Sequence, residues 1–190
     1  MAGQTPVGWC DDIEGDAGHL LVANADDFAA WLGADAPLGL GALDAVVSFG
    51  EGQRCYAWNV TPGSVRIMVD PTRTFLCLAR IDYADNEAGR NAAHAYALAY
   101  QAAPSPQGHA YRVSEGPVVI AWSPSSVRDT STAIQALPLS AASPGALIDF
   151  AKGPNAAALW MAPGVYASSL FYHEEDRWAV SWCRLQRVSD

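Results

Sequence analysis

Residues 156–188 read AAALWMAPGVYASSLFYHEEDRWAVSWCRLQRV, and this stretch carries the clearest structural pattern of the chain. Large and small residues alternate along it with a period of two, which predicts β-strands. Pro163-Gly164 interrupts the alternation once, and the acidic cluster His173–Asp176 interrupts it again. Both interruptions are typical of tight connections between paired strands. We therefore expect a meander of three strands, over 156–161, 165–172 and 177–188.

Residues 64–101 repeat this arrangement at lower similarity. Alternating apolar residues predict strands over 65–69 and 75–83, which are joined at Asp70-Pro71-Thr72 and followed by a second acidic cluster. By propensity alone, the alanine-rich segment 88–103 would form a helix. Its match to the last run of the C-terminal meander favours a strand instead, and we follow the match.

The similarity extends upstream in each half of the chain. Gly18–Ala23 parallels Gly116–Ala121, and a helix-start signal follows each segment, at Asn24 and at Ser123-Pro124. The sequence therefore predicts a single domain of the α+β class, predominantly antiparallel β with one or two short helices. An internal duplication is one interpretation of the pattern, and chance similarity between β-rich stretches is the other. The duplicated halves would run over 18–101 and 110–188, with 102–108 as the link.

The composition limits the class of protein and of partner. The 190 residues can form one well-cored domain, and no stretch of 18 residues is apolar enough to predict a transmembrane helix. A net charge of −9 disfavours nucleic acid as a ligand, because phosphate contacts need basic clusters, and it favours association with a basic protein. Residues 1–16 have neither the basic nor the apolar region of a secretory signal. We therefore expect a cytoplasmic protein.

No arrangement of residues known from catalytic or metal sites stands out. The histidines share no metal-ligand spacing, and the cysteines, at 10, 55, 77 and 183, include no CxxC pair, so we expect buried free thiols. The chain lacks a GxSxG nucleophile elbow and a GxxxxGK[ST] phosphate loop. Asp12, Glu14 and Asp16 have the spacing of a calcium loop, but Ala17 and Ala23 fill its glycine and glutamate positions. The sequence thus predicts no catalytic residue, no metal and no cofactor.

Several segments are similar to a family of bacterial proteins. The Gly18–Leu21 strand, the short helix ending at Trp31-Leu32-Gly33, the Ala162–Tyr166 strand and Cys183-Arg184-Leu185 resemble the immunity proteins of bacterial polymorphic toxins, with immunity protein 21 as the nearest family. The resemblance implies an antitoxin without catalytic activity, which binds one cognate toxin and blocks its active site. A toxin that acts on nucleic acid has a basic cleft, and an acidic protein can fill that cleft with carboxylates.

We expect a toxin partner to bind at the two acidic corners between the predicted strands, with Trp178 as an aromatic anchor. The residues of these corners are Asp82, Asp85, Glu87, His173, Glu174, Glu175 and Asp176. The acidic N-terminal residues Asp11, Asp12, Glu14 and Asp16 are a further candidate. We expect neither nucleic acid nor a membrane as the partner.

Two other functions remain open on the sequence alone. Seven tryptophans and seven tyrosines could form a platform for a carbohydrate or another small molecule in a β-rich domain. Twenty acidic residues could supply the carboxylate pair of a hydrolase, but the sequence singles out no pair. A small-molecule-binding module, and after it a hydrolase, are therefore the alternatives to an inhibitor.

Overall fold

A computed structural model describes residues 7–15, 18–29, 44–49, 52–100, 109–122, 134–140, 142–149 and 154–190. These residues are predominantly antiparallel β with two short helices, and the predicted fold class is therefore confirmed. Their strands form two six-stranded sheets, which we call the front sheet and the back sheet.

The elements of the described chain have the following bounds. In spatial order, the front sheet consists of β1 (Trp9–Gly15), β5 (Gly63–Val69), β6 (Phe75–Ala84), β12 (Trp178–Ser189), β11 (Gly164–Glu175) and β7 (Ala110–Val113). The back sheet consists of β3 (Asp44–Phe49), β4 (Gln53–Trp58), β2 (Leu20–Asn24), β8 (Pro117–Trp122), β10 (Pro154–Trp160) and β9 (Gly145–Asp149). Helix α1 (Ala25–Phe28) follows β2, and helix α2 (Glu87–Ala99) follows β6.

The main hydrophobic core lies between the two sheets, where the apolar side chains on the facing sides of their strands meet. Ile67 and Leu78 of the front sheet belong to one buried cluster with Val22, Ile120 and Trp122 of the back sheet. Burying a large apolar side chain stabilises a fold by about 1.5–3 kcal/mol. This core therefore fixes the front sheet, on which the candidate site is built.

Helix α2 covers the outer face of the front sheet. Ala93 and Ala97 lie one turn apart, are fully buried, and pack in a cluster that includes Cys77 and Trp182. Asn86 caps the helix, because its Oδ1 accepts a hydrogen bond of 3.0 Å from the Gly89 N–H. The strand that we predicted within 88–103 is therefore wrong, and the helix propensity of this alanine-rich segment prevails.

The strands have the same arrangement in the two halves of the chain. β2 pairs with β8 at the centre of the back sheet, and β6 pairs with β12 at the centre of the front sheet. The hairpins β3–β4 and β9–β10 flank the first pair, and the hairpins β5–β6 and β11–β12 meet at the second. In each half, one Pro-Gly pair leads from the back sheet to the front sheet, and Gly63 and Gly164 both have φ +150°.

This arrangement corrects the alignment of the two halves. The sequence match aligns 65–69 with 156–161, whereas the strand order places β5 with β11 and β6 with β12. The match is one strand out of step, and for that reason it assigns a strand to α2. The Pro163-Gly164 connection also differs from the expected hairpin, because β10 lies in the back sheet and β11 in the front sheet.

Several smaller predictions are decided as well. The helix start at Asn24 is confirmed, although the Asn24 side chain donates to Asp27 and to the Arg112 carbonyl instead of capping α1. Three cysteines are buried free thiols as predicted, whereas Cys10 is exposed. Neither α1 nor α2 is long and apolar enough to cross a membrane. The segments Trp31–Gly33, 102–108 and Ser123-Pro124 lie outside the described residues.

Candidate partner-binding surface

The structure brings the two predicted acidic corners together at one end of the front sheet. β11 and β12 form a long hairpin, in which Glu175 pairs with Trp178 across the turn. Trp178 pairs in turn with Ala84, and the Asp85 N–H donates to the Arg177 carbonyl at 3.1 Å, so the turn lies beside the start of α2. We call this surface the acidic end, and it comprises Asp82, Asp85, Glu87, Glu174, Glu175 and Asp176.

Two tyrosines fix the position of Glu174 within the acidic end. The Tyr83 hydroxyl donates to the Glu175 carbonyl at 2.6 Å and lies 3.3 Å from Glu174 Oε1. The Tyr172 hydroxyl donates to Glu174 Oε2 at 2.8 Å, and this hydrogen bond raises the pKa of Tyr172 to about 12. Tyr172 therefore remains a hydrogen-bond donor at neutral pH.

Asp82 differs from the other acidic residues because its charge is compensated. It forms an ion pair with Arg80 and accepts a hydrogen bond of 2.6 Å from Ser181 Oγ. Glu87 is exposed in the first turn of α2, where a negative charge is favourable. Among the six residues, the net negative charge therefore lies mainly with the five exposed carboxylates, and Asp82 has mostly a structural role.

His173 and Trp178 lie in an aromatic cluster between β11, β12 and α2. The His173 ring stacks on Tyr96 with 4.0 Å between centroids, and its Nε2 lies 3.4 Å from Glu175 Oε1. Trp178 packs against the same tyrosine at 5.7 Å and is only 7% exposed. The ring of Trp178, which we predicted as an aromatic anchor, is therefore part of the core under α2.

Three side chains that we did not predict supply the apolar part of this surface. Tyr172 is 59% exposed, Tyr83 is 40% exposed and Leu170 is 37% exposed. Leu170, Tyr172 and Glu174 share one face of β11, since side chains two residues apart in a strand point the same way. Exposed aromatic residues are enriched at protein interfaces. The period-two pattern of β11 contains the signal that could have revealed them, because it places Leu170 and Tyr172 on one face.

The outer edge of β11 is unpaired beside this face. β7 pairs with Gly164–Ala167, and no described strand pairs with 170–175 on that side. The Ser168 N–H donates to the His109 carbonyl at 3.0 Å, so the backbone groups of alternate residues after Ser168 point to the same edge. Leu170, Tyr172 and Glu174 therefore present both their side chains and their backbone hydrogen-bonding groups.

Three of the four acidic N-terminal residues lie on another strand of the front sheet. Asp11, Asp12 and Glu14 belong to β1, at the opposite edge of the front sheet, and Asp16 lies outside the described residues. Asp12 forms an ion pair of 2.8 Å with Arg66, which lowers the pKa of the Asp12 carboxyl. The charge of Asp12 is therefore compensated by Arg66.

Comparison with known proteins gave no match to a family model, to a curated protein or to a solved structure. Within the part of the chain that the structure describes, no group of three or more His, Cys, Asp or Glu is placed to hold a metal ion. A functional proposal therefore rests on the geometry and the charge of the acidic end and of the adjoining face of β11.

Proposed function

We propose that this chain is an immunity-type inhibitor that binds a basic protein toxin and blocks it, without catalysing a reaction itself. The acidic end is the interface. A toxin that acts on nucleic acid is the best partner, because a cleft that binds phosphates is basic and accepts carboxylates in their place. The observation that carries the proposal is the junction of two acidic segments, 82–87 and 174–176, on one corner of the front sheet.

The chemistry of the acidic end supports recognition of a basic surface. Clustered carboxylates steer a basic partner and can raise the association rate by roughly 10- to 1,000-fold at low salt. Close interfacial charge pairs have measured coupling energies of about 1.5–7 kcal/mol. Tyr172 adds an exposed aromatic ring next to Glu174, and buried tyrosines at interfaces often cost at least about 2 kcal/mol when truncated.

The free edge of β11 offers a second means of recognition. An extended segment of the toxin can add to a free edge as a further strand, and its backbone then satisfies the groups that the edge leaves unpaired. Arginine or lysine at alternate positions of that segment would face Glu174 on one side of the sheet. Affinity would then come from backbone pairing and specificity from the charges.

Charge reversal at the acidic end tests the proposal. The protein is used as bait in a lysate of its own organism, and the captured basic protein is purified and titrated against the variants. We expect Glu174→Lys with Asp176→Lys to weaken binding at least about 100-fold, since two favourable charge contacts become repulsive. The matched control is Asp26→Lys with Glu115→Lys, an equal charge change at exposed sites on α1 and the β7–β8 loop. The control should bind like the native protein.

Inhibition is measured separately from binding. The captured partner should be toxic when it is expressed alone, and co-expression of the native chain should restore growth. A partner that binds both variants equally would exclude the acidic end as the interface. A partner without toxic activity would contradict the inhibitor assignment even if it binds at this surface.

A further inference from the structure

The face of the front sheet that packs on the back sheet continues past the back sheet at the acidic end. Tyr166 of β11 is buried in the core between the two sheets. Leu170, Tyr172 and Glu174 follow it at steps of two residues, so their side chains point the same way, and all three are exposed. The described part of the back sheet therefore leaves this end of the face uncovered.

Small residues of β12 form the floor of a recess in this uncovered face. Residues directly opposite each other in paired antiparallel strands project from the same face of the sheet. Ala179 therefore lies on this face between Glu174 of β11 and Tyr83 of β6. In the next row, Ser181 lies beside Tyr172. We call the site that these five residues form the tyrosine recess.

The ring of Tyr83 crosses the recess above Ala179. Its hydroxyl donates to the Glu175 carbonyl and lies beside the Glu174 carboxylate, and both of these groups are on the far side of β12. Ala179 is fully buried under this ring, whereas Tyr83 itself is exposed. The side of the ring that is turned away from the sheet is therefore open to solvent.

Tyr172 forms the second wall of the recess. Its hydroxyl donates to the same carboxylate, that of Glu174, and its ring is exposed. Among the described residues, no aromatic ring stacks on Tyr83 or Tyr172, and no cation lies over either ring. Two open aromatic faces therefore flank one carboxylate, and their hydrogen bonds fix them in position before a partner binds.

The charges that line the tyrosine recess leave it negative. Arg80 and Asp82, which lie beside Ser181, compensate each other in an ion pair, whereas Glu174 forms no ion pair with a described residue. The hydrogen bond to Glu174 raises the pKa of Tyr172, and the charges of Glu174 and Asp82 act in the same direction. A negative charge and open aromatic faces both attract a cation.

We propose that the tyrosine recess binds one arginine side chain of the basic partner, with the guanidinium stacked on the tyrosine rings and hydrogen-bonded to Glu174. A guanidinium is planar and weakly hydrated, so it stacks on aromatic faces more readily than a lysine ammonium does. The two tyrosine hydroxyls each lie on a different oxygen of Glu174, so each oxygen retains a lone pair for the guanidinium. This assignment rests on the proposed function, because the arginine belongs to the toxin.

The first test needs no toxin. The purified chain is titrated with N-acetyl-arginine amide and followed by NMR, and N-acetyl-citrulline amide is the control of the same shape without the charge. We expect the arginine probe to shift the signals of Tyr83, Tyr172 and Glu174, and the citrulline probe to leave them unchanged. Equal shifts with citrulline would overturn the proposal. Stronger binding of N-acetyl-lysine amide would overturn the choice of arginine.

A leucine variant tests whether the rings hold the guanidinium. Tyr172→Leu should weaken the binding of the arginine probe about two- to fivefold, which is the loss of one exposed cation–π contact. The matched control is Tyr100→Leu, since Tyr100 is an exposed tyrosine at the end of α2, outside the recess. Equal affinity of the native chain and Tyr172→Leu for the arginine probe would overturn the proposal.

The captured partner distinguishes a failure of the recess from a failure of the proposed function. A toxin that binds Tyr172→Leu as tightly as the native chain, but binds Glu174→Lys with Asp176→Lys weakly, would overturn the recess and leave the inhibitor assignment in place. Arginine binding that Tyr172→Leu weakens, together with a captured partner that is not toxic, would support the recess and contradict the inhibitor assignment.

Discussion

Two glycines occupy equivalent positions where the chain passes from the back sheet to the front sheet. Gly63 and Gly164 share φ +150°, a conformation that side chains with a Cβ rarely adopt. Their surroundings differ, because the nearest atom to a Cβ at Gly63 would be Arg80 Nε at 3.6 Å, whereas a Cβ at Gly164 would come within 2.5 Å of the Ser189 carbonyl oxygen.

Alanine substitutions at these two glycines therefore distinguish the cost of backbone strain from the cost of a steric clash. Gly63→Ala should lower the free energy of unfolding by about 1–3 kcal/mol through strain alone. Gly164→Ala should cost clearly more, since the backbone at Ser189 cannot yield as a flexible side chain can. Urea denaturation of both variants measures the difference. Equal losses would show that the sheets adjust to the added methyl group.

His94 makes stability depend on pH in a specific direction. Its pKa is about 4 in the folded chain and about 6.5 in the unfolded chain, so the unfolded state binds more protons between these values. Stability is therefore present in full above the unfolded pKa and is lost as the pH falls toward the folded one. From about pH 7 to about pH 5 the loss should be about 1–2 kcal/mol, allowing for the partial exposure of the ring.

The His94→Gln variant isolates this effect from other titrating groups. Burial also lowers the pKa of His19, which changes stability in the same direction, so the comparison must be made between variants. The free energy of unfolding of His94→Gln should fall less over this interval than that of the native chain. Parallel pH profiles for the two proteins would mean that His94 titrates normally in the folded state.

The exposure of single side chains is only partly predictable from the sequence. The acidic residues of the turn 173–176 could be identified because exposed charge clusters between strands are visible in the sequence. The burial of Trp178 could not, since it follows from the rings of Tyr96 and His173, which a helix and a neighbouring strand bring against it. Tertiary packing decides the exposure of an aromatic residue in a strand.

At the scale of elements, α2 closes the outer face of the front sheet. Its first turn depends on the Asn86 cap, which satisfies the Gly89 N–H. We expect Asn86→Ala to lower the free energy of unfolding by about 1 kcal/mol. Asn91→Ala, an exposed change of the same type within the helix, should not lower it, because alanine has the higher helix propensity. Thermal and urea unfolding of both variants test this.

The front-sheet strands could be predicted from the pattern of the sequence, whereas helix α2 could not. Strands β5, β6, β11 and β12 are predictable because their residues alternate with a clear period of two. Helix α2 is rich in alanine and shows only a weak alternation of apolar and polar residues. In our prediction, the comparison between the halves therefore outweighed its helix propensity. The comparison fails there because it aligns the halves one strand out of step, so that α2 is matched to β12.

The whole molecule has a two-fold strand order that the sequence shows only faintly. β2 and β8 pair so that Val22 faces Ile120, which is also their correspondence in the sequence. We infer a duplication of one six-stranded unit. Each half supplies three adjacent strands to each sheet, and the halves meet where β6 pairs with β12 and β2 pairs with β8. Identities between the halves are few because packing conserves size and polarity, whereas only the Pro-Gly connections require particular residues.

Charge is distributed unevenly over this two-fold frame. The acidic end belongs to the β6–α2 connection and to the β11–β12 turn, which meet because β6 and β12 are neighbours at the centre of the front sheet. The sequence could predict both acidic corners, but only the strand order places them together. The free edge of β11 depends in the same way on the short length of β7, since four residues cover only the first part of that strand.

The most direct test of the proposed interface is amide hydrogen exchange of this chain, alone and bound to the captured toxin. We expect slower exchange in the complex at the free-edge amides of Leu170, Tyr172 and Glu174 and at 82–88, with no change at 110–116. Slowed exchange at 110–116 without any change at the acidic end would contradict the proposed interface, because the toxin would then bind at the opposite end of the front sheet.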